Sequence, residues 1–267
     1  MLYTMQINGA QIAFDDRGHS PERPALVLVN GWGGDHRYFE RMLPQLVPNH
    51  RVIRADWRGH GPDRSPIGDY GTEELVADTI ALLDALEVDR FVPVSISHGG
   101  WAMLDIADQL GAERVPRVML VDQIMTSAPP EFVEQLHAMQ RRETWREARD
   151  AIFAQWAAGS SNPALESLWL NDMGGHGFET WSRACFAIEK AYNTWGSPMG
   201  RMEKLSEPRP IRHIFSHPKD PEYDKVHEAF AAKHSWFSWR RLGGTTHFPT
   251  VELPDTVCDE LGHLLEA

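Results

Sequence analysis

Cysteine is scarce in this chain, with only Cys185 and Cys258 among 267 residues. They lie far apart, and no Cys-x-x-Cys or Cys/His spacing of a zinc site accompanies them, so neither a disulfide framework nor a structural metal is indicated. His213 and His217 are predicted on a strand and its following loop, where a spacing of four does not put two ligands on one face. We therefore predict no metal site.

Positive charge and long apolar runs are also in short supply. The 26 Lys and Arg residues are outnumbered by 38 Asp and Glu, and the formal net charge of −12 disfavours binding to nucleic acid or to an anionic membrane surface. No apolar stretch approaches the ~20 residues that span a bilayer, and residues 1–16 lack the pattern of a signal peptide. We predict a soluble, cytoplasmic protein, a monomer or weak homo-oligomer, that binds neither nucleic acid nor membrane.

The sequence does contain an alternation of short apolar runs and helical patterns. Asn8-Gly9 within residues 2–14 predicts a β-hairpin. Later apolar runs predict strands buried on both faces of a sheet, at 25–29, 51–55, 90–94, 117–121, 211–215 and 236–241. Helical patterns separate most of them, for example 72–86 with Thr72 as its N-cap. This order predicts an α/β fold with a mostly parallel, doubly wound sheet.

The alternation lapses between residues 126 and 210, where helical patterns follow one another without a strand, for example over 131–156. Half of the ten tryptophans lie in this segment, at Trp145, Trp156, Trp169, Trp181 and Trp195. An all-helical insert after the sixth strand is typical of a lid. We predict a core of residues 1–125 and 211–267 and a helical cap of residues 126–210.

The most informative stretch is 92–100, where a buried strand is followed by Ser-x-Ser-x-Gly and then by a helix. This pattern predicts a nucleophile elbow, a strained strand-to-helix turn that exposes a serine and needs small residues two positions away on either side. Ser95 and Gly99 satisfy the size rule around Ser97, although Ser95 departs from the usual glycine. Ser97 is therefore the candidate nucleophile.

Two further features predict the groups that would act beside Ser97. An oxyanion site needs two backbone N–H groups, for which His98 and Trp32, in the glycine-rich loop 30–34, are the candidates. A base is expected in the loop after the last strand, and His247 is the histidine at that position. The acid that would orient it is left open by the residues, since Asp122 and Asp220 each follow a predicted strand.

These residues resemble the cofactor-independent 3-hydroxy-4(1H)-quinolone 2,4-dioxygenases, a branch of the α/β-hydrolase fold, over almost the whole chain. The elbow and the late histidine are generic to that fold, whereas the tryptophans are typical of this branch. The resemblance rests on Asn-Gly-Trp at 30–32, Ser-His-Gly-Gly-Trp at 97–101, Asp122, Trp156, Trp181 and Gly-Gly-Thr-Thr-His-Phe-Pro at 243–249. The chain departs from some relatives at Gly33-Gly34, where they carry larger residues.

The resemblance implies ring cleavage by dioxygen without a metal or flavin, releasing carbon monoxide and an N-acylanthranilate. It assigns His247 as general base on the substrate 3-hydroxyl and favours Asp122 over Asp220 as its orienting acid. Ser97 would hydrogen-bond the substrate rather than attack it. His98 and Trp32 would bind an oxyanion through their N–H groups. Trp156 and Trp181 would wall the cavity, and the other three cap tryptophans are expected to pack in the core.

Two other functions use the same residues. A serine hydrolase for an ester, lactone or amide would employ Ser97 as the nucleophile of a Ser-His-Asp triad. A non-catalytic receptor is also compatible with the fold, because fold does not determine function. The sequence leaves open whether the 2-substituent of a quinolone substrate is methyl or a long alkyl chain.

Overall fold

The apolar runs form a central sheet in the computed structural model, which describes residues 1–62, 68–160, 162–168 and 173–266. The strands are β1 (Tyr3–Ile7), β2 (Ala10–Arg17), β3 (Ala25–Val29), β4 (Val52–Ala55), β5 (Phe91–Ile96), β6 (Val118–Val121), β7 (Ile211–Phe215) and β8 (Phe237–Arg241). In the described residues they form one sheet in the order β1-β2-β4-β3-β5-β6-β7-β8. Pairing is antiparallel between β1 and β2 and between β2 and β4, and parallel elsewhere. The predicted, mostly parallel sheet is confirmed.

The first two strands form the predicted hairpin. Asn8 and Gly9 have φ angles of 46° and 79°, the left-handed values that a two-residue type I′ turn requires. Ile7 pairs directly with Ala10 across this turn. The Asn-Gly signal therefore sets both the turn and the register of this edge of the sheet.

Helices cover both faces of the sheet. They are a 3-10 helix (His36–Met42), α1 (Leu43–Leu46), α2 (Thr72–Ala85), α3 (Gly99–Arg114), α4 (Pro130–Met139), α5 (Trp145–Ala157), α6 (Pro163–Ser167), α7 (Phe178–Trp195), α8 (Pro198–Met202), α9 (Pro221–Lys233), α10 (Pro249–Glu252) and α11 (Pro254–Glu266). None of the helices in the described residues is long and apolar enough to cross a bilayer.

One detail of the helix prediction is wrong. The N-cap of α2 is Gly71 and not Thr72, because Glu74 reaches back three residues to accept the Gly71 N–H at 2.7 Å. The helical pattern over 131–156 forms two successive helices, α4 and α5. The buried stripe of α4 ends at Met139 and the next buried position is Trp145. In a continuous helix with 3.6 residues per turn, two positions six residues apart do not lie on the same face. The helix therefore ends after Met139, and a second helix begins at Trp145.

The insertion of helices after the sixth strand is confirmed, since α4 to α8 lie between β6 and β7 and α4 packs against both α5 and α7. Trp145 is buried and packs against Phe178, as expected. Core packing is wrong for Trp195, which is 36% exposed and lies under the Arg201 guanidinium, 4.5 Å from the ring centroid. Trp169 lies outside the described residues.

The parallel arrangement brings several chemically important residues to one edge of the sheet. Asn30 follows β3, Asp56 follows β4, Ser97 follows β5 and Asp122 follows β6. The carboxyl ends of parallel strands share an edge, which is where open α/β sheets bind ligands. Residues that are far apart in the sequence therefore lie next to one another at this edge of the sheet.

A buried carboxylate links the last helix, α11, to strands β7 and β8 of the sheet. Glu260 on α11 is fully buried and accepts hydrogen bonds from Arg212 on β7, at 2.8 Å from Nε, and from Arg240 on β8. Burial alone would raise the pKa of Glu260, but the two guanidinium groups hold it below its ordinary value. The group therefore favours the folded state as an anion.

Replacing Glu260 by alanine is expected to lower the free energy of unfolding by about 3 kcal/mol at pH 7, because two guanidinium groups lose their buried partner. A lowered folded-state pKa makes the contribution complete above the unfolded pKa of ~4.3, and it is lost as pH falls through the folded value. Urea unfolding at pH 7 and pH 3.5 measures this. Asp224→Ala, which breaks a partly exposed pair with Arg241, is the control and costs under ~1 kcal/mol. Equal losses would contradict the prediction.

Candidate active site

Ser97 lies on a strained turn between β5 and α3. Its φ angle is 50°, in the left-handed region that a non-glycine residue rarely adopts. Small residues make this turn possible, because a Cβ on Gly99 would lie 2.4 Å from the Asn30 carbonyl oxygen. On Gly100 it would lie 1.9 Å from Gln123 Oε1. The turn has the geometry of a nucleophile elbow.

His247 lies between Ser97 and Asp122 and is hydrogen-bonded to both. Its Nδ1 is 2.8 Å from Asp122 Oδ1, and its Nε2 is 3.1 Å from Ser97 Oγ. A carboxylate only accepts hydrogen bonds, so Nδ1 carries the proton and the Nε2 lone pair is directed at Ser97. Asp122 is 1% exposed, and its other oxygen accepts the Ser216 N–H at 2.6 Å. The imidazole is therefore oriented to take a proton at Nε2.

Asp220, the other candidate acid, has a different role. Its carboxylate accepts the Glu222 N–H at 2.9 Å and caps α9. Such a cap is a common place for aspartate at the start of a helix with proline in its first turn. Of the two carboxylates that the sequence left open, Asp122 is the one that contacts His247.

The loop that carries His247 is fixed by a carboxylate that sequence reasoning missed. Glu252 on α10 accepts from the backbone N–H groups of Thr245 and Thr246, at 2.8 and 2.9 Å, and from both of their hydroxyl groups. Burial would raise the pKa of Glu252, but these four hydrogen bonds lower it. The signal in the sequence was an acid five residues after the histidine, which is the last residue of the short helix α10.

Trp156 joins the cap to the same histidine. Its carbonyl oxygen accepts the His247 backbone N–H at 3.1 Å. Its indole stacks on the imidazole with ring centroids 4.9 Å apart and planes 28° apart. The indole also meets Trp32 edge-on at 6.0 Å. The cap helix α5 thus contacts both the base and the glycine-rich loop.

The two predicted oxyanion donors lie in segments that approach each other closely. A Cβ on Gly31 would be 2.8 Å from the Ile96 carbonyl oxygen and 3.1 Å from Ser97 Cβ. In the described part of the chain, neither the Trp32 N–H nor the His98 N–H has an acceptor. Buried amides without partners are uncommon and are suited to bind an external anion.

Trp181 lies behind Trp32 in the cap. It is fully buried, and its ring meets that of Trp32 edge-on at 5.1 Å. Gly33 has a φ angle of 69°, and a Cβ there would lie 2.6 Å from Trp181 Cη2. The space that Gly33 leaves is thus filled by an indole of the same chain.

The His98 side chain is a neutral ring under ordinary conditions. Complete burial, together with the nearby His247, lowers the pKa of His98 to about 3. Its imidazole stacks on Phe132, with centroids 5.3 Å apart and planes 10° apart. His98 is therefore a neutral ring that packs on Phe132, and His247 is the imidazole positioned to exchange protons.

A cleft of about 670 Å³ opens beside the histidine. Ser97, His247 and Trp156 line it together with apolar side chains that include Ile124, Pro129, Phe132 and Val226. This volume is typical of a site for a small organic molecule. The arrangement can hold a flat aromatic compound next to an indole and accept one proton from it at His247.

Comparisons with known proteins show which family the chain resembles over its whole length. The sequence matches the family described as alpha/beta hydrolase over residues 26–260. It is 57% identical over 265 residues to the 2-heptyl-3-hydroxy-4(1H)-quinolone dioxygenase of Mycobacteroides abscessus, with 99% of this chain and 98% of that protein covered. It is 36% identical over 266 residues to the 1H-3-hydroxy-4-oxoquinoline 2,4-dioxygenase of Pseudomonas putida, with 100% of both covered.

A solved structure is equally similar. It is an AqdC variant in complex with its substrate, from work on recognition and ring cleavage of the Pseudomonas quinolone signal. The TM-score is 0.97 at 56% identity, and the match covers 100% of this chain and 99% of that one. High identity over full length, together with the shared fold, shows that this chain belongs to the 3-hydroxy-4(1H)-quinolone 2,4-dioxygenase family of the α/β-hydrolase fold.

Proposed function

We propose that this protein cleaves the heterocyclic ring of a 2-alkyl-3-hydroxy-4(1H)-quinolone with dioxygen, giving an N-acylanthranilate and carbon monoxide. The observation that carries the proposal is the Asp122–His247 pair, whose Nε2 meets Ser97 Oγ at the wall of a cleft of suitable size. The full-length similarity to dioxygenases of this substrate class supports it.

The reaction begins when His247 takes the proton of the 3-hydroxyl at Nε2, while Asp122 stabilises the imidazolium that forms. The resulting anion is electron-rich and transfers electrons to dioxygen, forming a C–O bond at C2. The distal peroxide oxygen attacks C4. The O–O, C2–C3 and C3–C4 bonds then break, so that C3 leaves as carbon monoxide, C2 becomes an amide carbonyl and C4 a carboxylate. His247 then releases its proton.

The surrounding residues would bind and orient rather than react covalently. Ser97 Oγ is hydrogen-bonded to His247 and can exchange this partner for the substrate hydroxyl. The Trp32 and His98 N–H groups would bind the oxyanion, and a site that excludes water strengthens these interactions. Trp156 would hold the flat bicycle by stacking, with Trp181 supporting Trp32 from behind.

Electrons for dioxygen come from the substrate anion in this scheme, so no metal or flavin is needed and dioxygen is the co-substrate. Residues 126–210 would act as the cap over the core of residues 1–125 and 211–267. Trp156 in that cap would keep bulk water from His247, against which its ring lies.

A long alkyl group is the favoured 2-substituent. The relative from M. abscessus is named for a 2-heptyl substrate. The cleft beside His247 has an apolar wall of Ile124, Pro129 and Phe132, and it reaches the half-exposed Val226 at the surface. An alkyl chain that packs along this wall would be buried from water without displacing Asp122 or His247.

A serine hydrolase would use the same three side chains, and the Ser97–His247–Asp122 hydrogen bonds are compatible with it. The balance of similarity favours the dioxygenase. The 3-oxoadipate enol-lactonase 2 of Acinetobacter baylyi is 24% identical over 255 residues, which is well below the identity to the dioxygenases. Product analysis separates the two functions.

His247→Ala is expected to slow carbon monoxide release from a 3-hydroxy-4(1H)-quinolone by about 1,000-fold, the loss of a general base. Ser97→Ala should cost only about tenfold, because it removes one hydrogen bond. Trapping of carbon monoxide, with protein first dialysed against a chelator, is the measurement. Steady hydrolysis of a nitrophenyl ester that Ser97→Ala abolishes, with no quinolone consumed, would instead establish a hydrolase.

Asp122→Asn is expected to reduce kcat by about 100-fold or more, because an amide at this position no longer fixes the tautomer and charge of His247. Asp220→Asn is the matched control. Asparagine caps a helix as well as aspartate does, so its activity should stay within about twofold of wild type. Steady-state oxygen consumption measures both, and a larger loss in Asp220→Asn would contradict the assignment.

The 2-heptyl substrate is expected to have a kcat/KM at least about tenfold above that of the 2-methyl substrate at equal oxygen. Each methylene buried along the apolar wall contributes up to about 0.8 kcal/mol, part of which is offset by ordering of the chain. Ile124→Ala should narrow this difference and leave the 2-methyl substrate unaffected. Equal kcat/KM values for the two substrates would remove the argument for a long chain.

A further inference from the structure

A second cluster of carboxylate and imidazole groups lies close to the glycine-rich loop. Ligating atoms of Asp35, His36 and Asp56 lie within 4.8 Å of one another, the one such group of three among the described residues. Both carboxylates already hold donors, since Asp35 accepts the Arg37 N–H at 3.0 Å and pairs with its guanidinium. The cluster is therefore a hydrogen-bonded unit, and its position in the fold suggests its role.

Asp56 is the centre of this unit. It follows β4, is 1% exposed, and accepts the His36 N–H at 2.6 Å through Oδ1 and His36 Nδ1 at 2.7 Å through Oδ2. The Asn30 side-chain amide donates to Oδ1 over a longer distance of 3.4 Å. Arg54, two residues earlier on the same strand, donates to the His36 carbonyl oxygen at 3.0 Å. His36 is thus fixed through its N–H, its ring and its carbonyl.

Asn30 and His36 are the two ends of the segment that contains Trp32. On its other side this segment presses against the elbow, because a Cβ on Gly99 would lie 2.4 Å from the Asn30 carbonyl oxygen and one on Gly31 would lie 2.8 Å from that of Ile96. The segment is held between a buried carboxylate and the Ser97 turn. Movement of either end would therefore shift the Trp32 amide.

We propose that Asp56 is a positioning residue, which aims the Trp32 N–H at the 3-oxyanion of the bound quinolone; this rests on the function proposed above. A carboxylate is suited to the task because it accepts several donors at once and donates none. An oxyanion donor contributes only when it lies within about 3 Å of the charge. A misplacement of about 1 Å is enough to cost a large part of the rate.

The test combines kinetics with an anaerobic titration of 2-heptyl-3-hydroxy-4(1H)-quinolone. Without oxygen no turnover occurs, and ionisation of the bound 3-hydroxyl is followed by its change in absorption across pH. Asp56→Ala is expected to lower kcat by about 10- to 100-fold, with KM changed less than threefold, since the interaction forms with the developing charge. The pH at which bound substrate is half ionised should rise.

One conservative variant, one truncation and a control accompany it. Asp56→Asn retains an acceptor for the His36 N–H and can donate to the ring, so it should restore kcat to within about fivefold of wild type. His36→Ala removes one partner of Asp56 and should lower kcat by an intermediate factor. This variant provides the test if Asp56→Ala does not fold. Asp35→Asn, whose side chain holds Arg37 and caps the 3-10 helix, should stay within about twofold.

Two results would overturn the assignment. One is an active wild type together with an Asp56→Ala variant of unchanged kcat and unchanged ionisation of bound substrate. The other is a loss in Asp35→Asn equal to that in Asp56→Ala, which would mean that the whole segment is merely destabilised. If the wild-type protein neither shifted the ionisation of bound quinolone nor consumed the quinolone with oxygen, both the proposed function and this assignment would be overturned.

Discussion

The hydrogen bond between Asp122 and His247 joins two segments 125 residues apart in the chain, and many other contacts serve to hold its ends. Asp122 has a left-handed φ of 50° immediately after β6, and a backbone amide of the next strand's loop binds its second oxygen. The loop that carries His247 is fixed by two contacts: Glu252 accepts the Thr245 N–H, and the Trp156 carbonyl oxygen accepts the His247 N–H. Strained conformations of this kind persist only where the surroundings determine them fully.

Close packing of backbone is the second constraint on the site. Gly31, Gly99 and Gly100 each occupy positions where a Cβ would collide with a carbonyl or a side chain. These contacts place the elbow, the loop after β3 and the start of α3 against one another without intervening side chains. Under the proposed function, this packing would let the Trp32 and His98 amides converge on one oxyanion, which larger side chains in these positions would prevent.

Local patterns allowed much of the fold and part of the site to be predicted. The Asn8-Gly9 turn, the apolar strands and the Ser97 turn are each encoded within a few residues, and the structure has them at nearly the predicted bounds. The roles of Glu252 and Asp56 could not be predicted, because each acts through residues that tertiary folding brings to it. Trp156 shows both cases: its ring was expected at the cavity, but nothing in the sequence indicated that its carbonyl binds the His247 amide.

That carbonyl also bears on how a ligand enters and leaves. The His247 N–H donates to a residue of cap helix α5, so lifting this part of the cap would break a hydrogen bond to the backbone of the base itself. A ligand that passed through the cleft beside Ile124 and Val226 would leave this hydrogen bond intact. If the substrate binds in this cleft as proposed, it would enter and leave along the junction of cap and core, and the His247 N–H would keep its hydrogen bond to the cap throughout.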